Sequence, residues 1–266
     1  MPQFTQHAPG TFSWPELATT DQKSAVAFYT SLFGWTVNDQ PIGPDDVYSL
    51  LLLNGNDVGA AYSMREDERK MNIPPHWNNY ITVANVDESS NRAQELGGRV
   101  LAEPFDVMDA GRMSVLMDPT GAVFQLWQAG RSIGAKTLGE PGALCWTELT
   151  TSDPAAAEEF YRGLLDWTPK HTDAAVSPMA YTEFTVQGAD RPSVGMMAKP
   201  PHMPPDMPSF WLPYFMVTDV DATTARATTL GGKAHFGPQD IPGTGRFAVI
   251  ADPQGAAFAV FAPAAR

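Results

Sequence analysis

Two short stretches carry the chemistry-bearing residues of this chain at matching positions. "FSWPELATTDQKSAVAFYTSLFGW" fills 12–35 and "LCWTELTTSDPAAAEEFYRGLLDW" fills 144–167. Each opens on a Trp followed two residues later by a Glu: Trp14 and Glu16, then Trp146 and Glu148. On a strand, residues two apart share a face, so each indole and its carboxylate look the same way. A carboxylate beside apolar rings costs several kcal/mol unless paired, hydrogen-bonded or protonated. Glu16 and Glu148 are therefore candidate acids or bases, or partners for a hydroxyl or cationic ligand. The competing expectation is an ion pair with Arg112 or Arg246, each of which follows a Gly at a matching place and could otherwise clamp an anionic group or tie its strand start to a neighbour.

The match continues well beyond these stretches. "WNNYITVANVDESSNRAQELGGRV" from Trp77 faces "WLPYFMVTDVDATTARATTLGGKA" from Trp211, and "GRMSVLMDPTGAVFQLW" from Gly111 faces "GRFAVIADPQGAAFAVF" from Gly245. The repeat divides the chain into a first half, 1–130, a Gly-rich linker, 131–141, and a second half, 142–266. Each half reads as strand, helix and three strands, twice over. The helices are marked by an Asp or Asn cap and apolar residues at helical spacing. Gly97-Gly98 ends one helix, and "DPTG" supplies a tight turn. The fold class expected is α+β, with four βαβββ modules whose mixed sheets curl and carry their helices outside.

Bulk properties narrow the partners. The chain has 266 residues, 43% of them apolar, and a net charge of −13. Such an acidic surface disfavours nucleic acid and anionic membrane. A single cysteine, Cys145, leaves no disulfide framework and no cysteine-based metal site. Without an N-terminal leader pattern, a cytoplasmic protein is expected. A small molecule is the expected partner, bound by a monomer (an internal pseudo-dimer) or a homodimer.

The repeated D-x-x-x-A-x-x-F-Y-x-x-L-x-x-W (21–35, 153–167), L-G-G (96–98, 230–232) and D-P-x-G (118–121, 252–255) resemble the vicinal oxygen chelate superfamily of glyoxalases, bleomycin-resistance proteins and extradiol dioxygenases. The tandem layout is similar to its two-domain glyoxalase-like branch, often labelled "hydroxylase". The resemblance implies curled sheets cupping a ligand. In metal-using relatives it implies a His or Gln seven residues before each helix-opening residue, and a Glu seven after the Asp of D-P-x-G. Here those places hold Trp14, Asn78 and Gln125, then Trp146, Leu212 and Ala259. Indole and alkyl groups do not bind a divalent ion, so no cofactor is expected.

Strand alternation adds Tyr80, Trp127 and Tyr214 to the inward sets; Tyr48 and Tyr181 occupy matching strand positions with their face undetermined. Two functions remain open. One is a metal-independent binder of an aromatic or polyketide-like molecule, serving sequestration, resistance or delivery. The other is a metal-free isomerase, cyclase or lyase acting on a carbonyl-bearing substrate, with a cup Glu as acid or base. A metal-dependent glyoxalase or dioxygenase suits the residues less well.

Overall fold

The computed structural model describes residues 3–44, 46–172, 180–204 and 206–264. In the first half the order is β1 (Phe12–Thr19), α1 (Gln22–Phe33), β2 (Thr36–Pro41), β3 (Val47–Leu53), β4 (Asn56–Ser63), α2 (Glu66–Lys70), β5 (His76–Thr82), α3 (Val86–Glu95), β6 (Arg99–Val107), β7 (Gly111–Met117) and β8 (Val123–Ala129). The second half runs β9 (Leu144–Thr151), α4 (Pro154–Leu165), β10 (Thr168–His171), β11 (Tyr181–Thr185), β12 (Val194–Ala198), β13 (Phe210–Met216), α5 (Val220–Thr229), β14 (Lys233–Ile241), β15 (Gly245–Ala251) and β16 (Ala257–Pro263).

Local chemistry accounts for the element ends. Asp21, Asn85, Asp153 and Asp219 cap their helices by accepting from backbone N–H groups of the first turn. Asn54 and Gly55, both at positive φ, turn β3 into β4.

Each half forms one eight-stranded mixed sheet, in the orders β2-β3-β4-β1-β5-β8-β7-β6 and β10-β11-β12-β9-β13-β16-β15-β14. The two modules of one half are thus joined along the antiparallel pair of their opening strands, β1 with β5 and β9 with β13. Sequence alone left open which modules share a cup; the sheet order joins consecutive modules.

One face of both sheets, together with the helices, converges on a single apolar core. Phe12 contacts Trp211 at a ring separation of 4.8 Å, Trp77 contacts Phe215 at 5.2 Å, and Tyr29 contacts Phe258 at 5.3 Å. The repeated aromatic motif serves this junction. Tyr29 donates to Asp252 of the other half, and Tyr161 donates to Asp118. Trp35 donates across to the Gly142 carbonyl, and Trp167 to that of Gly10. The Asp of each D-P-x-G therefore fixes its own turn through backbone donors and also accepts from the opposite half. The linker is tied down too: Ala135 N–H donates to Ser13 and Lys136 N–H to Asp57.

The opposite face of each sheet carries its own smaller apolar cluster. Tyr80, Met113 and Trp127 form one with Trp14; Leu212, Tyr214 and Ala259 form the other with Trp146. A register irregularity between Phe12 and Trp14 lets Phe12 enter the shared core while Trp14 faces the cup. A matching irregularity between Tyr214 and Phe215 separates Leu144 from Trp146 in the same manner.

Candidate active site

The register brings the sequence-derived candidates together. Glu16 lies opposite Asn78, and Trp14 opposite Tyr80; Tyr80 in turn pairs with Gln125 on the parallel strand β8. Glu16 is 8% exposed. Its Oε1 accepts from the Tyr48 hydroxyl at 2.7 Å. Its Oε2 accepts from the Tyr80 hydroxyl at 2.8 Å and from Asn78 Nδ2 at 3.2 Å. Trp14 Nε1 donates to the Tyr48 oxygen at 3.0 Å. Gln125 donates to Asn78 Oδ1 at 2.8 Å and accepts from the Asn79 backbone N–H, holding the amide that faces the carboxylate. Trp127 stands edge-on to Tyr80 and ties its own indole N–H to the Ser132 carbonyl.

The second cup repeats the core of this arrangement. Trp146 Nε1 donates to Tyr181 at 3.1 Å; Tyr181 donates to Glu148 Oε2 at 2.6 Å, and Tyr214 to Oε1 at 2.8 Å. Leu212 stands opposite Glu148 where Asn78 stands opposite Glu16, so the amide donor is missing. Glu148 is also partly exposed, unlike Glu16. Gly195 faces Glu148 across the strand pair, where Ala60 faces Glu16. A Cβ on Gly195 would fall on the Tyr181 hydroxyl and within 2.6 Å of the Trp146 nitrogen, so the second tetrad sits closer to its neighbouring strand than the first, which accommodates Ala60.

Burial pushes both carboxyls above the ordinary glutamate range, and the hydroxyl and amide donors oppose that rise. For Glu16 the nearby charge of Glu68 adds to the rise. Tyr48, Tyr80, Tyr181 and Tyr214 are raised chiefly by burial and further by the adjacent carboxylates, so they act as donors across the working pH range.

Arg112 and Arg246 do not join either cup, contrary to the expectation of a ligand clamp or a partner for the glutamates. Arg112 grips Asp87 at the start of α3 through two bonds of 2.8 Å and reaches Asp106 at 3.0 Å. Arg246 holds Asp221 and Asp240 in the same way. A guanidinium fork matched to a carboxylate at a helix start has its donors directed there.

Two residues of the first cup escaped the sequence reading. Tyr62 donates to Glu68 at 2.9 Å and accepts from Asn78 at 3.4 Å. Glu68 is 8% exposed although it belongs to the charged connector 64–75, and it also accepts from the Arg65 backbone N–H. The corresponding connector at 196–208 is Met- and Pro-rich instead. That contrast was the available signal. Cys145 lies half-buried beside Trp146, its thiol pushed up to about 12 by burial, which leaves it protonated and unreactive.

The fold family implies a divalent ion in some members, and the residues here do not fit one. Trp14 offers only an N–H donor, already spent on Tyr48. The side chains of Asn78 and Gln125 are engaged with each other, and Leu212 and Ala259 carry no donor atoms. Among the described residues, no group of three or more His, Cys, Asp or Glu is placed to hold a metal ion. No helix among them is long and apolar enough to cross a membrane.

Comparison with known proteins locates this architecture. The family model described as Glyoxalase/Bleomycin resistance protein/Dioxygenase superfamily matches residues 11–126 and 143–260. A protein of Mycobacterium tuberculosis named "Putative glyoxylase CFP32" is 44% identical over 265 residues, covering 99% of both chains. "Anthracycline biosynthesis protein DauV" of a Streptomyces species is 34% identical, covering 96% of this chain and 94% of that one. Among solved structures, a Mn(II)-bound glyoxalase from Novosphingobium aromaticivorans aligns with a TM-score of 0.65 at 15% identity, over 96% of this chain and 83% of the other. The 2,2',3-trihydroxybiphenyl 1,2-dioxygenase of Sphingomonas wittichii aligns with the same score at 13% identity, over 96% and 91%. At these identities the structural likeness speaks to fold.

Proposed function

From the premise that the chain belongs to the glyoxalase/bleomycin resistance/dioxygenase superfamily, we propose that it binds a planar aromatic or polyketide-like small molecule in its cups without a metal ion. The observation that carries this reading is the aromatic lining of each cup around a hydrogen-bonded glutamate, Glu16 or Glu148. In the first, Trp14, Tyr48 and Tyr80 surround Glu16, and Phe105 on β6, opposite Met113, leaves 44% of its surface exposed beside them. In the second, Tyr214 stacks with Phe247, and Phe247 meets Phe236 at a tilt, with Phe236 43% exposed. Aromatic rings left partly exposed beside the glutamates suit a flat ligand, whose burial supplies about 25 cal/mol per Å² before the costs of association. The name of the Streptomyces relatives, anthracycline biosynthesis proteins, favours a ligand of this class. Sequestration, resistance or delivery would each use such binding.

The test is a panel of planar aromatic metabolites run by thermal shift in the presence of a chelator, where any ligand of the native state raises the midpoint by mass action. Binders are expected in chelator, and Trp14→Ala with Trp146→Ala is expected to abolish the shift. A shift that appears only when a divalent ion is restored would overturn the reading.

A second reading is favoured by the raised carboxyls of Glu16 and Glu148, each set between two tyrosine donors. There a cup glutamate moves a proton on a carbonyl-bearing substrate in an isomerisation, cyclisation or lyase step. Glu16→Gln would then keep binding and lose turnover. Trp14→Ala would lose both.

A further inference from the structure

The directions of the hydrogen bonds in both cups are set by their indoles. An indole nitrogen can only donate. Trp14 Nε1 therefore makes the Tyr48 oxygen an acceptor, and the Tyr48 hydrogen is left to point at Glu16 Oε1, 2.7 Å away. Oε1 accepts from Tyr48 in either protonation state, and its second position is an acceptor when the carboxyl is ionised. The second half repeats the chain as Trp146, Tyr181 and Glu148 Oε2. The repeat preserves this feature even where the cup floor has changed from Asn78 and Gln125 to Leu212 and Ala259.

A carboxylate has about four lone-pair positions. Glu16 receives Tyr48 on Oε1, and Tyr80 and Asn78 on Oε2. Among the described residues one acceptor position, on Oε1, is left over. Tyr48, which donates to that oxygen, and Trp14, which donates to Tyr48, are both partly exposed. Among the described residues Glu148 receives only Tyr214 on Oε1 and Tyr181 on Oε2, so one position is left over on each oxygen.

We propose that both cups select ligands bearing a free hydroxyl on the aromatic ring, which donates to the open position on Glu16 or Glu148, and that the second cup, with two such positions, selects a pair of adjacent hydroxyls. This rests on the aromatic-binder reading and specifies its ligand. A ring whose oxygen is methylated, or present only as a ketone, brings an acceptor to an acceptor and leaves the carboxylate unmet. A site built around a hydrogen bond discriminates strongly against analogues that cannot make it.

The test is calorimetric titration of the full chain, in chelator at neutral pH, with 2-naphthol, 2-methoxynaphthalene, 2-acetonaphthone and 2,3-dihydroxynaphthalene. The expected result is that 2-naphthol binds about tenfold more tightly than the ether or the ketone. The preference is expected to persist in Glu16→Gln with Glu148→Gln, because the amide oxygen settles against the Tyr48 or Tyr181 hydrogen. It is expected to vanish in Glu16→Met with Glu148→Met, which retain bulk without an acceptor. The diol is expected to gain further affinity, lost in Glu148→Met and kept in Glu16→Met. Equal or tighter binding of ether or ketone, or a hydroxyl preference that survives both methionine substitutions, would overturn the proposal and leave the aromatic binder standing. Failure of all four probes to bind would overturn both. The wild-type ratio stands as a test even if a variant fails to fold.

Discussion

At the scale of single residues, the repeated Trp and Glu are one device. The indole fixes a tyrosine, and the tyrosine presents its hydrogen to the carboxylate. The inward direction of Trp14 and Glu16 was legible from strand alternation. Their partner Tyr48 was not, because its strand β3 is separated from theirs by α1 and β2, and its face depends on register. Arg112 and Arg246 were misplaced for the opposite reason. A Gly-Arg pair looks alike whether the guanidinium turns to the cup or to a helix start 25 residues earlier.

The raised carboxyl of Glu16 has a thermodynamic consequence. Burial is the largest cause, so the folded state holds its proton more tightly than the unfolded chain, whose ordinary value is 4.5. Between that value and the higher folded one, the native state binds more protons, so this group's contribution falls as pH rises through that window. The advantage of wild type over Glu16→Gln is therefore expected to shrink as pH is raised from 4.5. Paired thermal melts across that range check it, and a growing advantage would contradict it.

At the scale of elements, the cups depend on what the strands allow. β12 must carry Gly195, because Tyr181 and the Trp146 indole occupy the space a side chain would need. Gly195→Ala is expected to destabilise the protein by roughly 1–3 kcal/mol, in the range of overpacking. It should also remove ligand binding from the second cup while sparing the first. Titration stoichiometry falling from two to one would register this; unchanged stoichiometry would argue against the second cup as a site. The connector carrying α2 taught a different lesson. Its sequence is densely charged, yet Glu68 turns inward because Tyr62 and the Arg65 N–H supply donors there. Nothing in the local pattern of "MREDERK" marks which of its acids is buried.

At the scale of the molecule, the two halves are separate in sequence and joined in structure. Repeat and module order were legible, because self-similarity survives divergence. The shared core was not, since apolar helix faces do not announce what covers them. The F-Y and terminal Trp of the repeated motif turn out to be cross-half donors and packing surfaces. Tyr29→Phe would leave the buried Trp77 N–H without its acceptor and Asp252 Oδ2 without the tyrosine donor. The expected loss is about 1–3 kcal/mol, measured by denaturant unfolding, with Tyr161→Phe behaving alike through Trp211 and Asp118. Because one core spans both halves, calorimetric unfolding is expected as a single cooperative transition; two resolved transitions would contradict the shared core.

The most direct measurement is a crystal structure of the protein grown in chelator with a bound hydroxylated aromatic such as 2-naphthol. The account expects the ring against Trp14 or Trp146, with its hydroxyl donating to the open lone pair of Glu16 or Glu148 and no metal between them. A ligand seated away from both glutamates, or density for a cation bridging protein and ligand, would contradict it.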